Sequence, residues 1–291
     1  MDEPPPVRDQ GSGIGDQGSA PTERRGAPLA GGYTETADLD LLAAGSAELG
    51  LPLTPDQLAR FRRYYDLLVD WSSRMNLTSV TDPAGVQVRH FLDSLTVAVA
   101  LLRRQPAPAG ALPAVLPTDG AGLIDLGTGA GFPGLPLKIL WPALRLTLVE
   151  SVGKKTEFLR AVVGALALRD VAVLTERAEA LGQDRRHRGR YDVVTARAVA
   201  PLPVLAEYGL PLCRIGGVLA APKKGAIEQE IAQGRKAAAL LGGGAVARYL
   251  FRLPGETDER SVLLLPKTGP TPAGYPRRVG LPAKRPLGTT T

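Results

Sequence analysis

The chain predicts an α/β fold in which a doubly wound, mostly parallel sheet with one antiparallel edge strand follows an N-terminal helical extension. Three observations predict it. From residue 123 onward, short apolar runs rich in Val, Ile and Leu alternate with stretches whose apolar residues recur every three or four positions. The first run, LIDL, enters a loop with glycine at 127, 129, 131 and 134, and a second run ends on Glu150, which is the order of a nucleotide-binding βαβ half. The last two runs, ARYLFRLP and RSVLLLPK, have no helix between them, so they close the sheet as an antiparallel pair.

Residues 1–37 are rich in Gly, Pro, Ser and charge and predict a disordered tail, because they hold too little apolar surface to offset the entropy of ordering. Residues 38–104 read as the helical extension. DLDLLAAGSAELG is short and helical, and Thr54 before Pro55 and Asp56 has the form of an N-cap with proline at the first helical position. Leu58, Phe61, Tyr65, Leu68 and Trp71 then follow at helical spacing. After SSRMNLTSVTDP a further helix runs through Val88, Phe91, Leu92, Leu95, Val99 and Leu102. Residues 105–122, dominated by Pro, Ala and Gly, predict a linker, and residues 123–266 the cofactor-binding domain. Within it, strands are predicted at VAVLTE, YDVVTAR and GGVLAAPKK, and helices over 154–168, 201–214 and 226–241. Residues 267–291 predict a basic Pro/Gly-rich tail.

Composition sets the class. Of the 291 residues 44% are hydrophobic, enough for a full core, and no uninterrupted apolar run approaches the roughly 20 residues of a membrane span. The acidic, proline-rich start MDEPPPVRDQ is unlike a signal peptide, so a cytoplasmic protein is expected. The single cysteine, Cys213, in the apolar LPLCRIGG, reads as a small buried hydrophobe, and with His90 and His187 the only histidines no metal site is expected. The net charge of +6 is compatible with a polyanionic partner such as nucleic acid, although mildly basic enzymes need no such reason.

The loop spells D-L-G-T-G-A-G-F-P-G. A dinucleotide fingerprint would want glycine where Phe132 stands, which disfavours an NAD enzyme. S-Adenosylmethionine has no phosphate to cradle; it needs an acceptor near the loop for its ammonium, which the Asp125 region can supply, and a carboxylate for its ribose hydroxyls, where Glu150 lies. A tight turn that uses glycines for geometry alone is the alternative.

Several motifs then carry a resemblance. NLTSVTDPAGVQVRHFLDSL, LIDLGTGAGFPGLPLKIL, SVGKKTEFL, RAEAL, YDVVTARAVAPL and PKKG, in this order over about residues 40–265, resemble the RsmG (GidB) family of bacterial small-subunit rRNA methyltransferases. The resemblance implies a Rossmann-like class I methyltransferase with a seven-stranded sheet, S-adenosyl-L-methionine as cofactor, and methyl transfer to N7 of a guanine in the 530 loop of 16S rRNA. It implies cofactor contacts at Gly127 and Phe132, with Gly129 in the same loop, an adenine frame at Ala178 and Glu179, and Arg197 beside the cofactor pocket. A solvated helix residue remains the alternative for Glu179, and a surface arginine for Arg197.

N7 of guanine carries a free lone pair, so no general base is required and catalysis reduces to placement and electrostatics. No catalytic residue is assigned outright. Positioning candidates are Arg197, Asn76 and His90, with Asp93 close by; a structural histidine and a turn cap are the alternatives for His90 and Asn76. Arg89, Lys223 and Lys224 are candidate RNA contacts, the lysines being solvated otherwise. The run Arg185, Arg186, Arg188 and Arg190 and the basic C-terminal segment could add phosphate affinity. The expected partner is 16S rRNA or the small ribosomal subunit, bound by a monomer with neither membrane nor metal. A methyltransferase with another RNA target, or a non-catalytic RNA-binding assembly factor, are the other readings.

Overall fold

The computed structural model describes residues 38–103 and 120–289, together with Met1 and Glu3. The predicted N-terminal tail and most of the predicted linker lie outside the described residues. Seven strands form one sheet in the order β3-β2-β1-β4-β5-β7-β6. They are β1 Gly122–Leu126, β2 Arg145–Glu150, β3 Val171–Thr175, β4 Tyr191–Thr195, β5 Cys213–Lys224, β6 Ala247–Phe251 and β7 Arg260–Pro266. Pairings from β3 across to β5 are parallel, while β7 runs antiparallel to both β5 and β6. The expected antiparallel strand is thus β7, inserted one place in from that edge of the sheet. Strand order reverses at β1 and β4, the switch point at which open sheets leave a crevice beyond the strand carboxyl ends.

Alternation along the strands divides the core in two. Leu123, Leu146, Leu148, Val193, Val218 and Leu264 face one apolar cluster; Ile124, Val149, Val194, Leu219 and Leu263 face the other. The first is completed by the helical extension with helices α5 Gly134–Leu140 and α6 Gly153–Ala165. The second is completed by α7 Ala178–Gln183, α8 Leu202–Gly209 and α9 Glu228–Leu240. α8 stops at Gly209, short of the predicted residue 214, because the chain is already entering β5 at Cys213.

The extension holds α1 Asp40–Glu48 and α2 Pro55–Ser72. Thr54 and Gln57 form the capping box of α2, and the Gln57 amide also donates to the carbonyls of Ile139 and Leu140 at 3.2 and 3.0 Å, capping the end of α5. α2 buries Phe61, Tyr64, Leu67 and Leu68, so its inner face carries Tyr64 at its centre, with the expected Tyr65 partly buried against the same cluster. Asp82 caps the next helix, whose first turn α3 Pro83–Gly85 leads through a π-helical stretch, Val86–Leu92, into α4 Asp93–Arg103. This 21-residue helix is long and apolar enough to cross a membrane by length and composition, yet 83% of its apolar window is buried in the protein.

Residues 267–289 are packed on the domain and carry a short helix, α10 Leu281–Lys284, so the basic segment is not a free tail, and of its cations Arg278, Lys284 and Arg285 are exposed. Lys267 is 3% exposed and donates to the Leu241 carbonyl at 2.6 Å. Arg277 grips the fully buried Glu207 with Nε and Nη2, at 2.9 and 2.6 Å. Arg188 donates to the carbonyls of Thr271, Pro272 and Tyr275. Interactions some 70 to 90 positions apart in sequence hold the segment, and composition carries no trace of them.

Candidate active site

At the carboxyl end of β1, Asp125 is fully buried and organises the glycine loop from below. Its Oδ2 accepts from Thr128 Oγ1 at 2.5 Å and from the Gly134 amide at 3.0 Å, and its Oδ1 from Thr195 Oγ1 at 2.9 Å. Burial pushes its pKa up to about 6 against the pull of those three donors. Fully buried and held by three donors inside the protein, the Asp125 side chain braces the loop, and an acceptor for the cofactor's ammonium is left to the region around it.

Two glycines of the loop are needed for shape. Gly127 has φ 61°, and a Cβ there would stand 2.6 Å from Val199 Cγ2; Gly131 has φ 99°, and a Cβ there would stand 2.6 Å from the Tyr64 hydroxyl. Gly129 differs, for a Cβ built on it meets no atom within 4 Å, so the crest of the loop borders open space. The Gly129 amide donates to Glu150 Oε2 at 3.1 Å, while Glu150 Oε1 accepts from the Val152 amide at 3.0 Å. The Ser151 hydroxyl also donates to Oε1, at 3.5 Å, so the lone pair left for a further donor is on Oε2.

Ala178 and Glu179 open α7 after β3, and the Glu179 side chain is anchored to the C-terminal segment. It is 5% exposed, and its Oε1 accepts from the Gly280 amide of the C-terminal segment at 2.9 Å. Oε1 is thus engaged within the protein, and this stretch also carries the Ala178 methyl and the amides of the first helical turn.

Phe132 lies at the centre of an aromatic stack. Its ring centroid is 5.4 Å from that of Tyr64 and 4.6 Å from that of His90, with interplanar angles of 26° and 20°, and the Arg197 guanidinium carbon is 5.0 Å from it. The Tyr64 hydroxyl donates to the Ala130 carbonyl, tying α2 to the glycine loop. His90 Nε2 is 2.8 Å from Thr78 Oγ1. Burial, and then the Arg197 charge, push the His90 pKa down to about 4, so the ring is neutral at physiological pH. Arg197 donates to Asp93 Oδ2 at 2.8 Å and to the Arg89 carbonyl at 3.2 Å. It follows β4 directly, and Ala198 after it takes φ 56°, a conformation that costs a non-glycine residue energy and that clusters at functional sites.

The remaining candidates separate. Asn76 is exposed in the loop that also supplies Thr78 to His90. Arg89 is half exposed and pairs with Glu256 at 2.8 Å. Lys224 is half exposed and pairs with Asp258 at 2.7 Å, whereas Lys223, 12% exposed, is bound to Glu230 at 2.6 Å and to the Ala200 carbonyl at 2.8 Å. This corrects Lys223 as an RNA contact, because its ammonium is committed inside the fold. In the arginine run, Arg186 folds onto Asp184 and Arg188 serves as the strut already described. Among the described residues, no group of three or more His, Cys, Asp or Glu could hold a metal ion.

A family model for rRNA small subunit methyltransferase G, also called GidB, matches residues 57–251. The chain belongs to this family. It is 50% identical over 249 residues to a ribosomal RNA small subunit methyltransferase G of Roseiflexus castenholzii, covering 86% of this chain and 100% of that protein. It is 44% identical to the protein of that name from Geobacillus thermodenitrificans over 240 residues, 82% of this chain and 95% of the relative. These aligned lengths exceed the stretch 40–265 that carries the motifs, so the relatives also match residues beyond it. A SAM-dependent O-methyltransferase of Thermotoga maritima is a structural neighbour with TM-score 0.46 and 14% identity, covering 70% of this chain and 72% of that one.

The protein is a methyltransferase whose cofactor is S-adenosylmethionine, and the donor set at the crevice fits that molecule. Open space borders Gly129, and beside it a carboxylate ends β2 at the position suited to ribose hydroxyls. Three contributors went unread in the sequence. Thr128 and Thr195 satisfy Asp125, and only the general need of a buried carboxylate for donors hints at them. Tyr64 could have been found from its i+3 spacing to Phe61, which places both on one helix face.

Proposed function

We propose that this methyltransferase transfers the methyl group of S-adenosylmethionine to N7 of a guanine in the 530 loop of 16S rRNA, acting as a monomer on the small ribosomal subunit in the cytoplasm. The observation that carries this reading is the pairing, on one aromatic ring, of a neutral histidine with a fixed cation. Such a site is suited to holding and polarising a base rather than to removing a proton from it, and N7 has no proton to remove.

The bound cofactor supplies an electrophilic methyl group on a sulfonium. Glu150 and the Gly129 crest hold its ribose end, and the Ala178 methyl packs against its adenine. Phe132, fixed between Tyr64 and His90, forms the apolar wall that excludes water from the reacting edge. Arg197, with N–H groups beyond those given to Asp93 and Arg89, offers donors to the acceptor base, and guanine O6 is the acceptor neighbouring N7. Arg89, Lys224 and Asn76 lie exposed and contact RNA backbone. Side chains of this kind place the substrate without reading its sequence.

The test is transfer of labelled methyl from S-adenosylmethionine to small-subunit particles lacking the modification, followed by mapping of the labelled base. Label at one guanine N7, incorporated far more slowly by Arg197→Ala, is the expected result. Label on another base would keep the enzyme and discard the substrate atom.

A further inference from the structure

Arg197 belongs to a ring of five charged side chains drawn from separate segments. Its Nη1 holds Asp93 Oδ2 at 2.8 Å, and Asp93 Oδ1 lies 3.7 Å from Arg260 Nε. Arg260 Nη2 reaches Glu256 Oε2 at 3.0 Å, and Glu256 Oε1 takes Arg89 Nε at 2.8 Å. The ring closes at the Arg89 carbonyl, which accepts from Arg197 Nη1 at 3.2 Å. A wide helical turn makes that last bond possible. The Asp93 amide reaches back five residues to the Val88 carbonyl instead of four to that of Arg89.

The three inner members are shielded, with Asp93, Glu256 and Arg260 side chains 12, 13 and 12% exposed, so salt and solvent screen them weakly. Three guanidiniums face two carboxylates, and the surplus positive charge stands at the site. The weak link is Arg260 Nε, which is buried, makes no hydrogen bond and stops short of Asp93. Glu256 is what holds Arg260 back from it. Without that carboxylate, Arg260 can close fully on Asp93 and compete with Arg197 for it.

We infer that Glu256, on the connection between β6 and β7, is a positioning residue for methyl transfer, acting through Arg260 and Asp93 on the place of the Arg197 guanidinium beside Phe132. The inference rests on the proposed role of Arg197. A simple staple between the extension and the sheet would affect folding alone; the ring instead ends on the group that faces the substrate.

The test compares E256Q and R260K with wild type in single-turnover methyl transfer to small-subunit particles at saturating S-adenosylmethionine, alongside thermal unfolding. Each substitution is expected to lower the rate about ten-fold, since a small displacement of a positioning group costs up to about a hundred-fold. E228Q, which removes the remote surface pair of Glu228 with Arg248, keeps the wild-type rate. In an Arg197→Lys background the E256Q effect shrinks to under about two-fold, because residues acting as a unit are not additive. A wild-type rate for E256Q, or the same loss in both backgrounds, overturns the inference. If wild type methylates no particle, the proposed substrate fails and the ring is read separately from the Arg197 side-chain Nε–H resonance in ¹⁵N-arginine protein. A shift of that resonance in E256Q supports the ring, and an unchanged resonance overturns it.

Discussion

The glycine loop and the Arg197 ring meet at Phe132 and are built by opposite means. The loop is local: residues 125–134 fold over their own carboxylate, and backbone amides, hydroxyls and three glycines of positive φ supply the geometry. The ring is assembled from residues 89, 93, 197, 256 and 260, and charged side chains supply all of it except the Arg89 carbonyl that closes it. A site braced by backbone tolerates almost no change of shape. One braced by paired charges tolerates changes of shape but not of charge, and that difference can be measured.

The largest effect is expected at Gly131. Gly131→Ala must shift the Tyr64 hydroxyl and take a positive φ, so stability should fall by about 2–3 kcal/mol and cofactor binding should be lost with it. Unfolding by urea checks the first, calorimetric titration the second. Next, Arg197→Ala should leave the unfolding midpoint within a few degrees while slowing single-turnover transfer by about 10²-fold, the size expected for a preorganised charge. Equal damage to stability at both positions would erase the contrast between loop and ring.

Asp125 sharpens the comparison through pH. It holds its proton to a higher pH in the folded protein than its ordinary value of 3.8 in the unfolded chain, so between pH 3.8 and about 6 the native state binds more protons. Stability contributed by this group therefore falls as pH rises through that window, by an amount on the order of 3 kcal/mol. Asp125→Asn lacks this dependence, so the stability gap to wild type should narrow from pH 4 to pH 7; parallel profiles would contradict the assignment. His90 is the opposite case. Its ring should remain neutral above pH about 4, so its proton NMR signals should not titrate between pH 5 and 8. The smallest effect belongs to Lys224→Ala. Lys224 is half exposed and already paired with Asp258, so RNA affinity should drop by no more than about three-fold at physiological salt, with a reduced salt slope.

The same contrast explains what could be read from the sequence. The strand, glycine loop, helix and Glu150 are contiguous and carry period and spacing, so the fold and the cofactor edge were legible. Lys223 and Lys224 were treated as alike, although neighbours on a strand point to opposite faces; the alternation sends one to Glu230 and the other to solvent. Tyr64 and Tyr65 both satisfy a helical spacing from Phe61, and the position of Phe91 and Phe132 is what brings Tyr64 to the site. The Arg197 ring and the C-terminal segment depend on partners far away in sequence, and no local pattern records such a pairing.

The claim on which the rest depends most is that the open space bordered by Gly129 and Glu150 is where S-adenosylmethionine binds. Calorimetric titration of the cofactor into wild type and Glu150→Ala tests it directly. A weakening of at least about ten-fold, the value of losing hydrogen bonds to a charged group, with the unfolding midpoint nearly unchanged, is the expected result. Equal affinity in the two proteins would place the cofactor elsewhere and contradict the site.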